Sequence, residues 1–414
     1  MRLLLAIVLA LLTAPSAHAF APLDRPGPEP DASAANLRAS LACSGDLDGA
    51  TRAPVLLVPA TTVNSRENYG WNYIPYFRSL GIPYCTSDLP GERAQNMGDI
   101  QARGDYLAYA IRQMHARSGR RIAILGHSQG GMAMRWALRF WPDTRAMVDD
   151  VIGMAATNHG STIVPLLCVT GCAPALWQQR HDAAFQRALN SGQETFAGIS
   201  YTEIYSHADE FVQPNLDDSG TSSLRTGPGR IANVAIQEIC PAALSEHLLI
   251  GTTDPVAAAL VTDALVHDGP ADPARIDRAV CNRRAMPGVD PQTGGVALAD
   301  AVTRVFAQLA DHDRVPAEPP LACYTTDAGC PGQVPAPPTC RSRIVLRLDR
   351  FGFRVRTVTI AGKRARIVRR GGRRVVVVDL RGRVNRIVRV RIAGRARGGR
   401  PRSVVKTYRT CAVR

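Results

Sequence analysis

Residues 122–131 read Ile122-Ala123-Ile124-Leu125-Gly126-His127-Ser128-Gln129-Gly130-Gly131. A short apolar run ends in Gly-x-Ser-x-Gly, and a segment of helical character, Met132 to Phe140, follows. Strand, sharp turn, helix is the order that exposes a nucleophile at the C-terminal edge of a sheet. Gly126 and Gly130 flank Ser128 because such a turn is strained and leaves no room for Cβ atoms beside the nucleophile. A glycine-rich turn without chemistry would match the motif. It would not account for the apolar run before it, the second glycine pair and the helix after it.

The same alternation extends outward in both directions. Pro54 to Pro59, Ile82 to Ser87, Val151 to Ala156, Thr202 to Tyr205 and Ile231 to Ile239 read as short buried strands. Trp71 to Leu80, Ile100 to His115, Asp254-Pro255 to Leu265 and Val296 to Leu309 read as helices. Gly119 stops the second of these, and Asp254 caps the third with Pro255 at its first position. Strands alternating with helices predict an α/β fold, a mostly parallel sheet covered on both faces. Residues 160–195 break the rhythm. The tight loop Cys168-Val169-Thr170-Gly171-Cys172 and the helical stretch Ala173 to Leu189 stand where a lid or pocket wall would sit.

The ends of the chain read differently. Arg2, the apolar run Leu3 to Leu12 and Ala17-His18-Ala19 compose a secretory signal over residues 1–19, with a retained membrane anchor as the alternative. No later stretch reads as long and apolar enough to span a bilayer. Residues 20–40 read as an N-terminal arm, 41–315 as the α/β domain and the Pro-dense 316–340 as a linker. Residues 341–414 change character to short β-type runs with alternating Arg, separated by Gly362, Gly371-Gly372, Gly382 and Gly394. They predict a small all-β, sandwich-like domain. The net charge of +15 hides an asymmetry. Residues 341–414 carry 25 Lys and Arg against 2 Asp and Glu, while the rest carries 25 against 33. A mildly acidic body with a basic tail argues for two units with different tasks. Adhesion of 341–414 to an anionic envelope surface is one such task, and a plain solvated face is the alternative. Export and the lack of interleaved aromatics argue against nucleic acid.

The ten cysteines are Cys43, Cys85, Cys168, Cys172, Cys240, Cys281, Cys323, Cys330, Cys340 and Cys411. An even count in an exported chain predicts disulfides, whose pairing the sequence alone leaves open. No pair has the spacing of a zinc site, and neither metal nor other cofactor is expected.

A serine nucleophile needs a base, and the base needs an orienting carboxylate, in the chain order Ser, Asp or Glu, His. His247 follows the last strand in the loop Ser245-Glu246-His247 and fits the base, with His159, His207 and His267 as competitors. Asp209, just past the Thr202–Tyr205 strand, fits the acid better than Glu210, Asp217 or Asp218. His127 adjoins Ser128, but neighbours on an elbow do not face each other, so it reads as packing or as a hydrogen-bonding support. The oxyanion of a tetrahedral intermediate needs donors. The N–H of Gln129 and the N–H and hydroxyl of Thr61, in the loop after the Pro54–Pro59 strand, are in position, although Thr61 and Thr62 also suit an ordinary turn.

Together, Val58-Pro59-Ala60-Thr61-Thr62, Ser128-Gln129-Gly130-Gly131, Trp177-Gln178-Gln179 and Ala208-Asp209-Glu210-Phe211-Val212-Gln213-Pro214 resemble the Candida antarctica lipase B type over roughly residues 40–315. The resemblance implies an α/β-hydrolase fold, no metal cofactor and hydrolysis of carboxylic esters, triacylglycerols included. It implies Ser128 as nucleophile, Asp209 and His247 as its partners, and Thr61 and Gln129 as the oxyanion hole. It also implies the disulfides Cys43–Cys85 and Cys240–Cys281. Ala60, His127 and Asn158-His159 depart from that pattern, where the family shows glycine, tryptophan and Asp-Tyr. The tail resembles small Arg-rich β modules of exported actinobacterial proteins. Cys340 and Cys411 bracket it and are expected to pair, with Cys323–Cys330 and Cys168–Cys172 pairing locally. The expectation is a secreted, extracellular monomer, possible cell-surface association included, acting on a lipid or other ester. A short-chain carboxylesterase, a polyester depolymerase and a cell-envelope acyltransferase are the alternatives within the chemistry. A surface-binding protein led by its tail is the alternative outside it.

Overall fold

The computed structural model describes residues 20–45, 47–91, 95–330, 343–379, 387–396 and 399–409; the signal segment and the Cys340–Cys411 pair lie outside them. The chain divides into two compact units, Met1–Gly332 and Gln333–Arg414. The first is built on seven strands: β1 (Leu41–Cys43), β2 (Val55–Val58), β3 (Tyr84–Ser87), β4 (Ile122–His127), β5 (Val148–Met154), β6 (Ser200–Tyr205) and β7 (Arg230–Ala235). They lie in the order β1-β3-β2-β4-β5-β6-β7. Only β1 is antiparallel, on the edge beside β3.

The period of two along a strand sorts side chains to opposite faces. Leu56, Val58, Ile122 and Ile124 join one core cluster with Leu107 and Ile111 of helix Arg103–Ser118 and Met132 and Trp136 of helix Gln129–Phe140. Val55, Leu57, Ala123 and Leu125 join the other with Phe77 of helix Tyr73–Leu80 and Leu260 and Val261 of helix Pro255–Val266. The sheet is thus buried on both sides, which is why β2 is apolar throughout and β4 is apolar up to the turn, with His127 at its end also buried. Contrary to the expectation from sequence, His247–Val266 is long and apolar enough to cross a membrane, with mean hydropathy 1.4. Val256, Ala257, Leu260 and Val261 are instead fully buried in the core.

Several local expectations shift. The stretch 173–189 is not one helix but two, Pro174–Gln178 and Ala184–Leu189. The run 231–239 is strand only to Ala235 and then turns into helix Ile236–Ile239. Residues expected as loop after Thr61 contain helix Ser65–Tyr69, closed by a reciprocal Asn64–Glu67 capping box. The arm contains helix Ala34–Ala39, capped by Ser33.

The expected linker is in part folded onto the body. Tyr324 sits among Trp136, Phe140 and Trp141, and its hydroxyl accepts from Trp136 Nε1 at 3.0 Å. The Glu318 carboxylate accepts the N–H groups of Ala184 and Phe185 at 2.8 and 2.7 Å, where a helix start leaves donors unpaired. Proline density signalled a linker, but one aromatic ring and one acid anchor the segment through residue 330. Disulfides join Cys43–Cys85, Cys168–Cys172, Cys240–Cys281 and Cys323–Cys330.

The second unit has two antiparallel sheets. One orders β10 (Lys363–Arg364), β9 (Arg354–Ile360), β13 (Ile387–Arg395) and β14 (Pro401–Arg409). The other orders β11 (Val368–Arg370), β12 (Arg373–Asp379) and β8 (Arg343–Arg347). Val358, Val390 and Ile392 of the first pack with Leu346, Val376 and Val378 of the second, a small sandwich core.

Candidate active site

Ser128 occupies the turn between β4 and helix Gln129–Phe140 at φ 54°, ψ −119°, a conformation that L-residues adopt only under constraint. The constraint is close packing. A Cβ on Gly130 would lie 2.1 Å from the Val58 carbonyl oxygen, and one on Gly126 would lie 2.5 Å from the Gly130 carbonyl carbon. The Ser128 N–H is tied to the Met154 carbonyl at 2.8 Å, which holds the turn to β5.

His247 is the first residue of the short helix His247–Ile250, whose N-cap Glu246 accepts the N–H groups of Leu248 and Leu249. Its Nε2 lies 2.9 Å from Ser128 Oγ and its Nδ1 lies 2.9 Å from Asp209 Oδ2. Asp209 is 1% exposed, and its other oxygen accepts the N–H groups of Phe211 at 2.9 Å and Val212 at 2.7 Å. Burial disfavours the charged imidazolium of His247. The Asp209 charge and hydrogen bond, with Glu210 and Glu246 beyond, outweigh that and hold His247 above the usual histidine value.

Gln129 opens the helix after the turn, so its N–H has no partner within that helix. The Thr61 hydroxyl oxygen accepts from Gln129 Nε2 at 3.2 Å and Gln179 Nε2 at 3.0 Å, and its own proton has only a long contact, 3.4 Å, to Gln179 Oε1, which a better acceptor can replace. The loop is pinned from below: Asn68 Oδ1 accepts the Ala60 N–H, and Asn96 Nδ2 donates to the carbonyls of Ala60 and Val63. Buried Arg103, lowered to about 10 by burial, donates to the Pro59 carbonyl and to Gln129 Oε1. Sequence reading missed Asn68, Asn96 and Arg103. Their signal is weak, because each is a polar residue whose partners are distant in the chain.

Ser128, Thr61 and His247 open onto one narrow slot of about 90 Å³. Its walls are mostly apolar, including Val164, Leu176, Val212, Leu248, Val305 and Leu309. Among the described residues, no group of three or more His, Cys, Asp or Glu is placed to hold a metal.

No protein-family model matches the chain. Lipase B of Pseudozyma antarctica is 32% identical over 206 residues, which cover 49% of this chain and 59% of that protein. The match thus spans less than two thirds of that relative's length. The crystal structure of Aspergillus fumigatus lipase B is 30% identical with a TM-score of 0.65, covering 72% of this chain and 74% of that one. The chain belongs to the lipase B family of α/β-hydrolases.

Within this lipase B fold, the departing residues are accommodated individually. His127 lies under His247: its Nε2 is 3.0 Å from the His247 carbonyl, and the two rings are 5.3 Å apart. Burial, then the neighbouring His247, push His127 down to about 3, so its ring is neutral with one proton. Nδ1 faces Asn68 Oδ1 at 3.3 Å and Nε2 faces the His247 carbonyl at 3.0 Å; both oxygens only accept, and the shorter contact takes the single proton, on Nε2. Asn158 does not reach the slot; its side chain accepts from Arg135 at 3.1 Å and donates to the Ser222 carbonyl. The competing histidines lie elsewhere. His159 contacts Glu194 at 2.8 Å, His267 contacts Asp263 at 2.9 Å, and His207 is exposed.

Proposed function

We propose that this protein is an exported serine ester hydrolase, a lipase that cleaves acylglycerols through an acyl-enzyme on Ser128. The observation that carries the reading is the chain Ser128–His247–Asp209, at 2.9 and 2.9 Å, at the floor of an apolar slot. Ser128 Oγ attacks the ester carbonyl while His247 Nε2 takes its proton. Asp209 fixes the tautomer that leaves Nε2 free to accept and stabilises the imidazolium that forms. The oxyanion is met by the N–H of Gln129 and by the N–H and hydroxyl of Thr61. His247 then protonates the departing alcohol, and water deprotonated by the same ring releases the acid. The four disulfides among the described residues suit an oxidising compartment and support the exported location.

The narrowness of the slot favours one second reading, an esterase confined to short acyl chains. Rates on p-nitrophenyl acetate, octanoate and palmitate and on emulsified triolein separate the two. A lipase is expected to turn over triolein and to prefer octanoate or longer. Activity confined to acetate would replace that reading with the short-chain one. Ser128→Ala retaining hydrolysis would remove both.

A further inference from the structure

Phe353, Arg354, Arg369, Arg373, Arg374 and Arg395 line a groove of about 900 Å³ at one end of the C-terminal sandwich. Ordinary sheets place opposite charges, or a charge and a neutral residue, across from each other, because like charges directly opposed are destabilising. Here the register opposes Arg354 to Arg395, Arg369 to Arg374 and Arg370 to Arg373. Residues 341–414 offer only two acids to offset this, Asp349 and Asp379. Asp349 also lines the groove, as its one acid against five arginines, and is bound to Arg347 at 2.8 Å; Asp379 is opposite Arg343 in the register of β12 and β8. Among the described residues, Arg354, Arg369, Arg373 and Arg395 stand in no salt bridge; Arg373 feels Asp349 only at longer range. Arg374 is anchored by donating to the Val355 carbonyl at 3.0 Å.

We propose that this groove binds a linear polymer bearing phosphate groups. Local frustration of this kind marks a site that a ligand completes. Guanidinium groups are planar forks that meet phosphate oxygens through paired hydrogen bonds, and several in a row require a ligand charged at repeated positions. Phe353 is the lone aromatic among the residues lining the groove, so successive bases would find no series of stacking platforms and single-stranded nucleic acid is disfavoured. Among the described residues, the exposed large apolar side chains of the unit, Val345, Val404 and Val405, do not line the groove, so a membrane would find no apolar foothold among them beside the arginines. The inference stands independently of ester hydrolysis.

The test uses the full chain and labelled long-chain inorganic polyphosphate, followed by fluorescence anisotropy between 50 and 300 mM NaCl. Binding is expected to weaken as salt rises. The triple variant Arg354→Gln/Arg373→Gln/Arg395→Gln is expected to lower affinity about 30-fold at 100 mM NaCl, with ester turnover unchanged. The control triple Arg389→Gln/Arg391→Gln/Arg402→Gln removes the same charge outside the groove and is expected to lower it by no more than about threefold. If the glutamine triple does not fold, Arg354→Lys/Arg373→Lys/Arg395→Lys keeps the charge, loses the forks and is expected to lose about fivefold or more. Equal losses in groove and control triples would overturn the proposal. So would absent binding at 100 mM NaCl, or tighter binding to single-stranded DNA or anionic vesicles than to polyphosphate.

Discussion

Asp209 spends one carboxylate oxygen on two backbone N–H groups and the other on His247, so its position is set before any substrate arrives. Replacing it with Asn keeps the shape and removes the charge. In the proposed mechanism, kcat is expected to fall about 10³–10⁴-fold, as in the serine-protease template. The base works when neutral, so the rate climbs as pH rises through the elevated His247 value. Without the Asp209 charge that limb should move to lower pH, read from kcat between pH 5 and 10; an unmoved limb would count against Asp209 as its cause. His127 acts one step back, by donating to the His247 carbonyl. His127→Phe is expected to lower kcat about 10–100-fold with KM little changed, and His127→Gln, which can still donate, to restore part of it. Unchanged kcat in the Phe variant would make His127 a packing residue. The grouping of Ser128, Asp209 and His247 was legible in the sequence because this fold sets such groups in that chain order after successive strands. The residues that pin the oxyanion loop were not. Asn68, Asn96 and Arg103 matter through contacts with Ala60, Val63 and Pro59, which no local pattern announces.

At the scale of elements, the turn after β4 depends on a missing atom. Gly130→Ala would drive a Cβ to within 2.1 Å of a backbone oxygen on β2. Backbone cannot swing aside, so a loss of at least about 2 kcal/mol is expected in chemical denaturation. A variant as stable as the parent would show that β2 can yield. Glu203, on β6, is fully buried, and burial raises it to about 8 against the opposing pull of Arg135. The folded state therefore holds its proton more tightly than the unfolded chain, and stability is lost as pH rises from the ordinary glutamate range through 8. Glu203→Gln is expected to raise Tm by roughly 4 °C or more at pH 9 and far less at pH 5. An equal change at both pH values would point to packing instead. Element types along the sheet were legible because both faces are covered and the central strands β2 and β4 carry apolar runs, Val55–Val58 and residues 122–125. The breaks inside 173–189 were not. Gln178 and Gln179 bond to Ile100 and Thr61, tertiary contacts that interrupt an apolar periodicity without leaving a mark in it.

The whole molecule is a catalytic-type body and a basic sandwich, and composition alone separated them. What composition misplaced was the seam, because proline density in 316–330 reads as linker while Glu318 and Tyr324 anchor that segment to the body. A chain ending at residue 332 is therefore expected to keep its Tm and ester turnover, and one ending at 315 to lose several degrees. Equal melting of the two would return 316–330 to the status of a spacer. The edge is stapled as well: Cys43–Cys85 closes a loop of 42 residues, worth about 4 kcal/mol in the chain-entropy view. The central claim, that the body hydrolyses esters through Ser128, is tested most directly by intact-mass and peptide mass spectrometry after treatment with a fluorophosphonate. The account predicts one adduct per chain, on Ser128, formed with parallel loss of ester hydrolysis and greatly slowed in His247→Ala. Labelling at another residue, or full hydrolysis by a chain quantitatively modified at Ser128, would contradict it.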